Sequence, residues 1–234
     1  MPRTIARALA WERLVTLVAV LGAARPAHAQ DTRAPYPRMA PIERYLMDPT
    51  AEIALARSAA PAAVSRDASV MVLGRKGYEA AVRGTNGFVC VVERSWDSPF
   101  ESPEFWNPKI RSPLCLNPPA AQSILPVLVK KQELIVAGLS KAQVIDEIKA
   151  ALVRAELPAP APGSMGYMMS KGAYLGGGGN LAHVMVFEPL TDAKMWGAGL
   201  PGSTILAQEE PVERLTIFIV PVGQWSDGTS VLPR

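Results

Sequence analysis

The pattern of apolar and polar positions changes its period several times along the chain, and each change predicts a new group of elements. Asp48-Pro49 ahead of an apolar run predicts a helix over residues 51–60, because an aspartate N-cap followed by proline is a typical helix start. Alternating β-favouring runs at 69–73, 78–82 and 88–93 then predict a three-stranded antiparallel meander. Asn86-Gly87 is expected to form its second hairpin turn.

A helical period returns in the middle of the chain. The apolar stretch 120–137 contains Pro126, which predicts a kinked or split helix. Ser140 and Gln143 have the spacing of a capping box, so they predict a second helix that runs to about Glu156. Both helices are expected to be amphipathic and to pack against a sheet.

The last third of the chain is β-rich. Strands are predicted at 165–169, 181–187 and 215–222, with a shorter strand at 204–207. Strands, helices and strands in that order favour an α+β fold. We expect a mainly antiparallel sheet with two or three helices on one face, forming a single domain over residues 42–234.

The first 41 residues differ from the rest. Three arginines precede an apolar run at 14–24, and Ala27-His28-Ala29 then has the small-x-small form of a signal peptidase site. The sequence therefore predicts a signal peptide over 1–29, a Pro-rich tether over 30–41 and a periplasmic or secreted protein. The apolar run is too short to cross a bilayer, so no transmembrane anchor is expected after cleavage.

The charge balance limits the class of partner. Residues 30–234 carry 20 basic and 20 acidic side chains, so the mature chain has no excess charge for binding nucleic acid. A small-molecule, glycan or envelope-protein partner remains open. The sequence predicts no cofactor and no metal site, because soft ligands are too few.

The only cysteines are Cys90 and Cys115. In an oxidising compartment they predict one disulfide, with a chain-entropy contribution of about 3 to 4 kcal/mol. A thiol nucleophile or a metal site is the alternative, but each would need further partners.

The segment 96–106 is the predicted functional loop. It combines four large aromatic side chains with three carboxylates: Trp96, Phe100, Phe105, Trp106, Asp97, Glu101 and Glu104. Rings beside carboxylates suit a sugar or cation site, and two of the acids could act as the acid and base of a glycosidase. The alternative is a loop lid whose rings cover the core while the acids face water.

His183 is the only histidine after the predicted leader. Any catalytic site that needs an imidazole must use it, with a nucleophile that the sequence does not identify. Strand alternation places His183 on the apolar side of its strand, which favours a structural histidine.

Several short runs carry a family resemblance. They are Ala56-Arg57-Ser58-Ala59-Ala60-Pro61, Val72-Leu73-Gly74-Arg75, Gly84-Thr85-Asn86-Gly87-Phe88-Val89-Cys90, Val92-Glu93-Arg94-Ser95-Trp96, Phe105-Trp106-Asn107-Pro108-Lys109 and Tyr167-Met168-Met169-Ser170. With these runs the chain resembles a family of exported bacterial proteins that has no assigned function. The resemblance implies export and a shared fold, and it supplies no activity.

Two functions follow as hypotheses from the sequence. The first is an exported binding or interaction domain that uses the 96–106 loop. The second is a secreted hydrolase that uses the loop carboxylates or His183, with glycans as a candidate substrate class.

Overall fold

One sheet organises the molecule. The computed structural model describes residues 36–177 and 179–231, so the predicted signal peptide lies outside the described residues. The strands are β1 Ser69–Gly74, β2 Gly77–Val82, β3 Val89–Glu93, β4 Ser112–Leu116, β5 Met165–Met168, β6 His183–Pro189, β7 Leu206–Glu210 and β8 Leu215–Pro221. They form one sheet in the order β2-β1-β3-β4-β5-β6-β8-β7. The α+β class is confirmed, but the sheet is mixed, because β1 and β3 pair in parallel.

Five α-helices lie within the described residues: α1 Pro49–Arg57, α2 Ala62–Ser65, α3 Pro118–Ser123, α4 Leu125–Val136 and α5 Lys141–Val153. Local signals set their boundaries. The Asp48 side chain accepts a hydrogen bond from the Ala51 N–H, and Ser140 with Gln143 forms the predicted capping box of α5. The predicted split near Pro126 is also present, since α3 ends at Ser123 and α4 begins at Leu125.

The helices cover both faces of the sheet, so the prediction that they share one face is wrong. Cys90 and Val92 of β3 pack in a cluster with Ala56 of α1. Val91, between them in β3, packs in another cluster with Leu128 of α4. Successive strand residues point to opposite faces, so α1 and α2 cover one face while α3 and α4 cover the other.

The predicted meander is wrong at its second turn. β2 is an edge strand that pairs with β1 alone, and the chain then passes the start of β1 to place β3 on its other side. Gly84 makes this crossing possible, because a Cβ there would lie 2.2 Å from the Ser69 backbone nitrogen. The Asn86 side chain donates to the Val64 carbonyl oxygen over 2.7 Å, so this residue anchors the crossing to α2.

The disulfide prediction is confirmed. Cys90 and Cys115 are directly opposite each other on β3 and β4 and are bonded, with their Cα atoms 3.9 Å apart. β4 includes a proline, Pro113, which is unusual within a strand. Pro113 lies opposite Val92 on β3, whereas β5 joins β4 only at Cys115 and Leu116. At Pro113, β4 therefore has a strand neighbour on one side only, where proline is tolerated.

Part of the predicted tether belongs to the fold. Tyr36, Met39 and Ala40 pack against the cluster that contains Trp96, and the Ala40 N–H donates to the Tyr45 hydroxyl over 3.2 Å. Residues 30–35 lie outside the described residues. In the described part of the chain, every helix is too short or too polar to span a bilayer.

Candidate functional site

A cavity of about 260 Å³ lies between the sheet and the helices α3 and α4. Most of its wall is aliphatic or aromatic, and these side chains come from β4, β5, β6, β8 and α4. The main apolar lining residues are Leu114, Ile124, Val127, Leu128, Met168, Met185, Phe187, Leu215, Ile217 and Ile219. The volume is near the lower limit of small-molecule pockets, about 300 to 1,000 Å³.

Four carboxylates line the same cavity, and we call this group the acidic end: Glu93, Asp97, Glu210 and Glu213. Two stretches of the chain supply them, residues 93–97 and residues 210–213. Glu93 ends β3, and Asp97 ends the following 3-10 turn, Ser95–Asp97. Glu210 ends β7, and Glu213 lies in the turn between β7 and β8. The acidic end therefore depends on the tertiary fold.

Lys131 of α4 neutralises one of these carboxylates. Its ammonium forms an ion pair with Glu213, and both side chains are buried. The ammonium also lies 4.9 Å from the centre of the Phe100 ring. Burial alone would lower the pKa of Lys131, but the nearby Glu213 and Asp97 carboxylates outweigh it and raise that pKa. Lys131 is therefore a permanent cation beside the cavity.

Arg94 directs its side-chain hydrogen bonds to groups outside the acidic end. Its Nε donates to the Tyr45 carbonyl oxygen and its Nη2 to Glu52 Oε1, each over 2.8 Å, while Nη1 donates to the Val92 carbonyl oxygen. The Arg94 and Glu52 side chains are fully buried. Arg94 thus satisfies its donors away from the carboxylates of the acidic end.

Burial dominates the protonation of the acidic end. It raises the pKa of Asp97 to about 6, although Lys131 opposes the shift. Burial, followed by repulsion from Asp97, holds the pKa of Glu93 well above its usual range. Burial likewise raises the pKa of Glu210. These carboxyl groups hold protons more tightly than exposed ones, which is typical of groups facing a low-dielectric cavity.

Asp97 has one satisfied and one unsatisfied oxygen. Its Oδ2 accepts a hydrogen bond from the Arg94 backbone N–H over 3.0 Å. Its Oδ1 is out of contact with solvent and accepts no hydrogen bond from any described residue. A buried oxygen in this state costs free energy, and a donor inside the cavity would offset that cost.

The four aromatic residues of the predicted loop are core side chains. Trp96 is fully buried, Phe100 and Phe105 nearly so, and Trp106 is 8 % exposed. The Phe105 and Trp106 rings meet edge to face with centroids 4.6 Å apart. The prediction that these rings form a contact surface is corrected, because stacking on a sugar needs an exposed ring face. Their placement matches the lid alternative.

The three carboxylates of the predicted loop lie in different environments. Asp97 lines the cavity, whereas Glu101 is exposed and neither Glu101 nor Glu104 is a lining residue. Glu104 Oε2 accepts a hydrogen bond from Asn107 Nδ2 over 2.5 Å. The predicted glycosidase pair is therefore not assembled from these residues around the cavity.

His183 lies in the cavity wall at the start of β6. Its Nδ1 donates to the Leu181 carbonyl oxygen over 2.6 Å, which leaves Nε2 as the acceptor. Burial lowers the pKa of His183, so the ring is neutral at pH 7. In the described part of the chain, no serine hydroxyl or carboxylate is among its hydrogen-bond partners. A Ser-His-Asp site is therefore absent there.

Sequence reasoning missed Glu93, Lys131, Glu210 and Glu213 as site residues. The pattern did contain a signal, since Lys131 continues the apolar face of α4 that Val127 and Ile135 define at helical spacing. Glu93 likewise continues the inward-facing positions Val89 and Val91 of β3. A charge at an apolar position of an amphipathic element was the sign that it faces an interior site.

The chemistry of the cavity is that of an apolar compartment with a protonatable polar end. Within residues 36–177 and 179–231, no three His, Cys, Asp or Glu side chains are grouped so that they could hold a metal ion. No protein-family model matches the chain, and no curated protein or solved structure matches it either. The function must therefore be argued from the cavity itself.

Proposed function

We propose that the protein is an exported binding domain that holds a small, largely apolar molecule in the cavity between the sheet and helices α3 and α4. The observation that carries this proposal is one cavity of about 260 Å³ whose wall is mainly apolar and whose polar groups converge at one end. Mostly apolar concavities with a few convergent polar groups are typical of small-molecule sites.

Export is part of this proposal. The buried Cys90–Cys115 disulfide supports it, because such bonds persist in oxidising compartments. The basic and apolar start of the chain and the resemblance to exported bacterial proteins support it as well. A binding protein outside the cytoplasm would retain its disulfide throughout its working life.

Hydrolysis is the second candidate, and one observation favours it. Asp97 combines a pKa of about 6 with a place in an apolar cavity, as a general acid does. The proposal of binding is stronger because no nucleophile is hydrogen-bonded to His183 in the described part of the chain. A hydrolase would cleave esters or glycosides that fit the cavity, and Asp97→Asn would abolish that turnover.

A series of straight-chain 1-alkanols tests the proposed binding. We expect affinity, measured by isothermal titration calorimetry, to rise about fourfold for each added methylene while the chain still fits. Beyond the length that fills the cavity, the increase should stop. The same series should raise the thermal midpoint in the same order, because a ligand that binds only the folded state stabilises it.

Two valine variants make the test specific. Val127→Phe narrows the cavity and should shift the chain-length limit to shorter alkanols. Val153→Phe is the control, because Val153 is 68 % exposed at the end of α5 and does not line the cavity. If affinity does not depend on the length of the alkanol, or if neither variant changes it, the cavity is not the binding site.

A further inference from the structure

We infer that the bound molecule carries a protonated amine or another N–H cation, and that the carboxylates of the acidic end hold this head group while the apolar wall holds the rest. The inference rests on the proposed function and adds the chemical class of the ligand. It follows from the charges and unsatisfied atoms at the cavity wall.

Three of the four carboxylates are not paired with a cation of the protein, although Lys131 lies within electrostatic range of each of them. Among the described residues, Glu93, Asp97 and Glu210 form no ion pair. Glu93 Oε2 accepts from the Ser112 hydroxyl over 3.2 Å, and Glu210 Oε1 accepts from Gln208 Nε2 over 2.7 Å. Neutral donors therefore satisfy single oxygens but do not compensate the charges.

The two buried cations nearby are already paired. Lys131 is bound to Glu213, and Arg94 directs its side-chain donors to Glu52 and to backbone carbonyl groups. The acidic end therefore keeps an excess of negative charge whenever its unpaired carboxyl groups ionise. A cation inside the cavity would offset that charge in a medium where Coulomb interactions are strong.

Asp97 supplies a separate observation that points to a donor. Its Oδ1 faces no hydrogen-bond donor among the described residues and is out of solvent contact, although Asp97 lines the cavity. Buried polar atoms are satisfied in nearly all native proteins. An N–H group of a ligand would complete the hydrogen bonding of this carboxylate.

The charge of the head group decides between ligand classes. A carboxylate or phosphate ligand would be repelled by the acidic end, and a hydroxyl group could donate only one neutral hydrogen bond. A protonated amine donates several bonds to ionised oxygens, and bonds between charged groups are about twice as strong as neutral ones. The acidic end therefore discriminates by charge and the apolar wall by size.

This mode of binding should depend on pH. The groups that face Asp97 are Glu93 on β3, Arg94 beside it, Lys131 on α4 and Glu213 between β7 and β8. Tyr78 of β2 also lies within electrostatic range. At low pH the raised pKa of Asp97 and Glu93 keeps both carboxyl groups neutral, so the attraction for a cation is lost.

Three ligands of equal chain length test the inference: n-hexylamine, 1-hexanol and hexanoate. By calorimetry at pH 8, we expect hexylamine to bind at least about tenfold more tightly than hexanol, and hexanoate more weakly than both. At pH 5 the advantage of the amine should shrink towards equality. The alcohol should bind alike at both pH values.

Variants locate the head group. Asp97→Asn keeps an acceptor for the Arg94 N–H but removes the charge, so it should reduce the advantage of the amine and leave hexanol binding unchanged. Glu210→Gln provides an independent variant with the same expectation if Asp97→Asn folds poorly. Glu101→Gln is the control, because Glu101 is exposed and lies outside the cavity wall.

The outcomes separate the two proposals. If hexanol and hexylamine bind equally at pH 8, or if hexanoate binds best, the cationic head group is disproved while the cavity remains a binding site. If the alkanol series and all three probes fail to bind, the proposed function fails together with the inference. An amine preference that Glu101→Gln removes would also overturn the assignment to the acidic end.

Discussion

The two faces of the sheet differ in how completely they are filled. The face under α1 and α2 is packed with small side chains, among them Ala56, Val70 and Val92, and it contains the Cys90–Cys115 disulfide. The face under α3 and α4 has larger apolar side chains, yet it encloses the cavity. One sheet therefore has a closed face that contributes stability and a hollow face that can hold a ligand.

Two consecutive residues mark the difference. Arg94 has its side-chain donors satisfied by Glu52 of α1, Tyr45 and Val92. Both residues line the cavity, but the carboxyl group of Glu93 has no cation among the described residues as an ion-pair partner. Adjacent positions of one extended segment thus hold a paired charge and an unpaired one. We interpret the paired charge as structural, and the unpaired one is the charge on which the proposed binding of a cation depends.

The largest expected effect comes from breaking the buried ion pair. Arg94→Met leaves Glu52 as a buried carboxylate without its cation, so unfolding in urea should show a loss of about 3 to 5 kcal/mol. The double variant Arg94→Met/Glu52→Leu should recover much of that loss, because it removes the unpaired charge.

An exposed ion pair provides the control for this experiment. Arg75 and Glu43 are paired at the surface, with side-chain exposures of 68 % and 51 %. Arg75→Met should change the free energy of unfolding by no more than about 1 kcal/mol. Equal losses at the two sites would show that the Arg94–Glu52 pair is not the stabilising feature described above.

The sequence predicted the parts of the fold that depend on local contacts. Asp48-Pro49 and the Ser140–Gln143 capping box mark helix starts through hydrogen bonds between neighbours, and both helices were predicted correctly. The hairpin predicted at Asn86-Gly87 is wrong, because the formation of a hairpin there depends on which strand pairs with which, and β3 pairs with β1 instead of β2. Nothing local to that pair specifies a strand neighbour.

The candidate site was less predictable for the same reason. Of the four carboxylates of the acidic end, only Asp97 was singled out, because it belongs to an aromatic loop. Glu210 and Glu213 lie more than 100 residues further along the chain and resemble solvated charges in the sequence. Their place in the cavity wall depends on the position of the β7–β8 turn beside α4, and no local pattern in the sequence specifies that position.

The second prediction compares matched valines on the two faces. Val92 is fully buried on the closed face, and Val127 lines the cavity on the other. Val92→Ile should lower the free energy of unfolding by about 1 to 3 kcal/mol, because a filled core resists an added methylene. Val127→Ile should be neutral or slightly stabilising, since its extra methylene has room.

The result can be checked in one set of denaturation curves for the two variants and the wild type. If Val127→Ile is as destabilising as Val92→Ile, the space under α3 and α4 is not open in solution. If both are neutral, the closed face is more adaptable than its small side chains indicate.

The third prediction concerns pH and the carboxyl group of Asp97. Burial raises its pKa in the folded state to about 6, above the value in the unfolded chain, so the folded state holds this proton more tightly. The contribution of Asp97 to stability is therefore full at low pH and is lost as the pH rises from about 4 to about 6. The free energy of unfolding should fall by roughly 1 kcal/mol or less per pH unit from this group.

The difference between wild type and Asp97→Asn isolates this contribution from groups with the opposite shift, such as Glu43 and Asp227. We expect urea unfolding between about pH 4 and pH 8 to show that the free energy of unfolding of the wild type, relative to that of Asp97→Asn, falls with pH and then becomes constant. Asp146→Asn on α5 measures the effect of removing an exposed carboxylate. If the advantage rises with pH instead, the protein itself compensates the Asp97 charge, and the acidic end has no need of a bound cation.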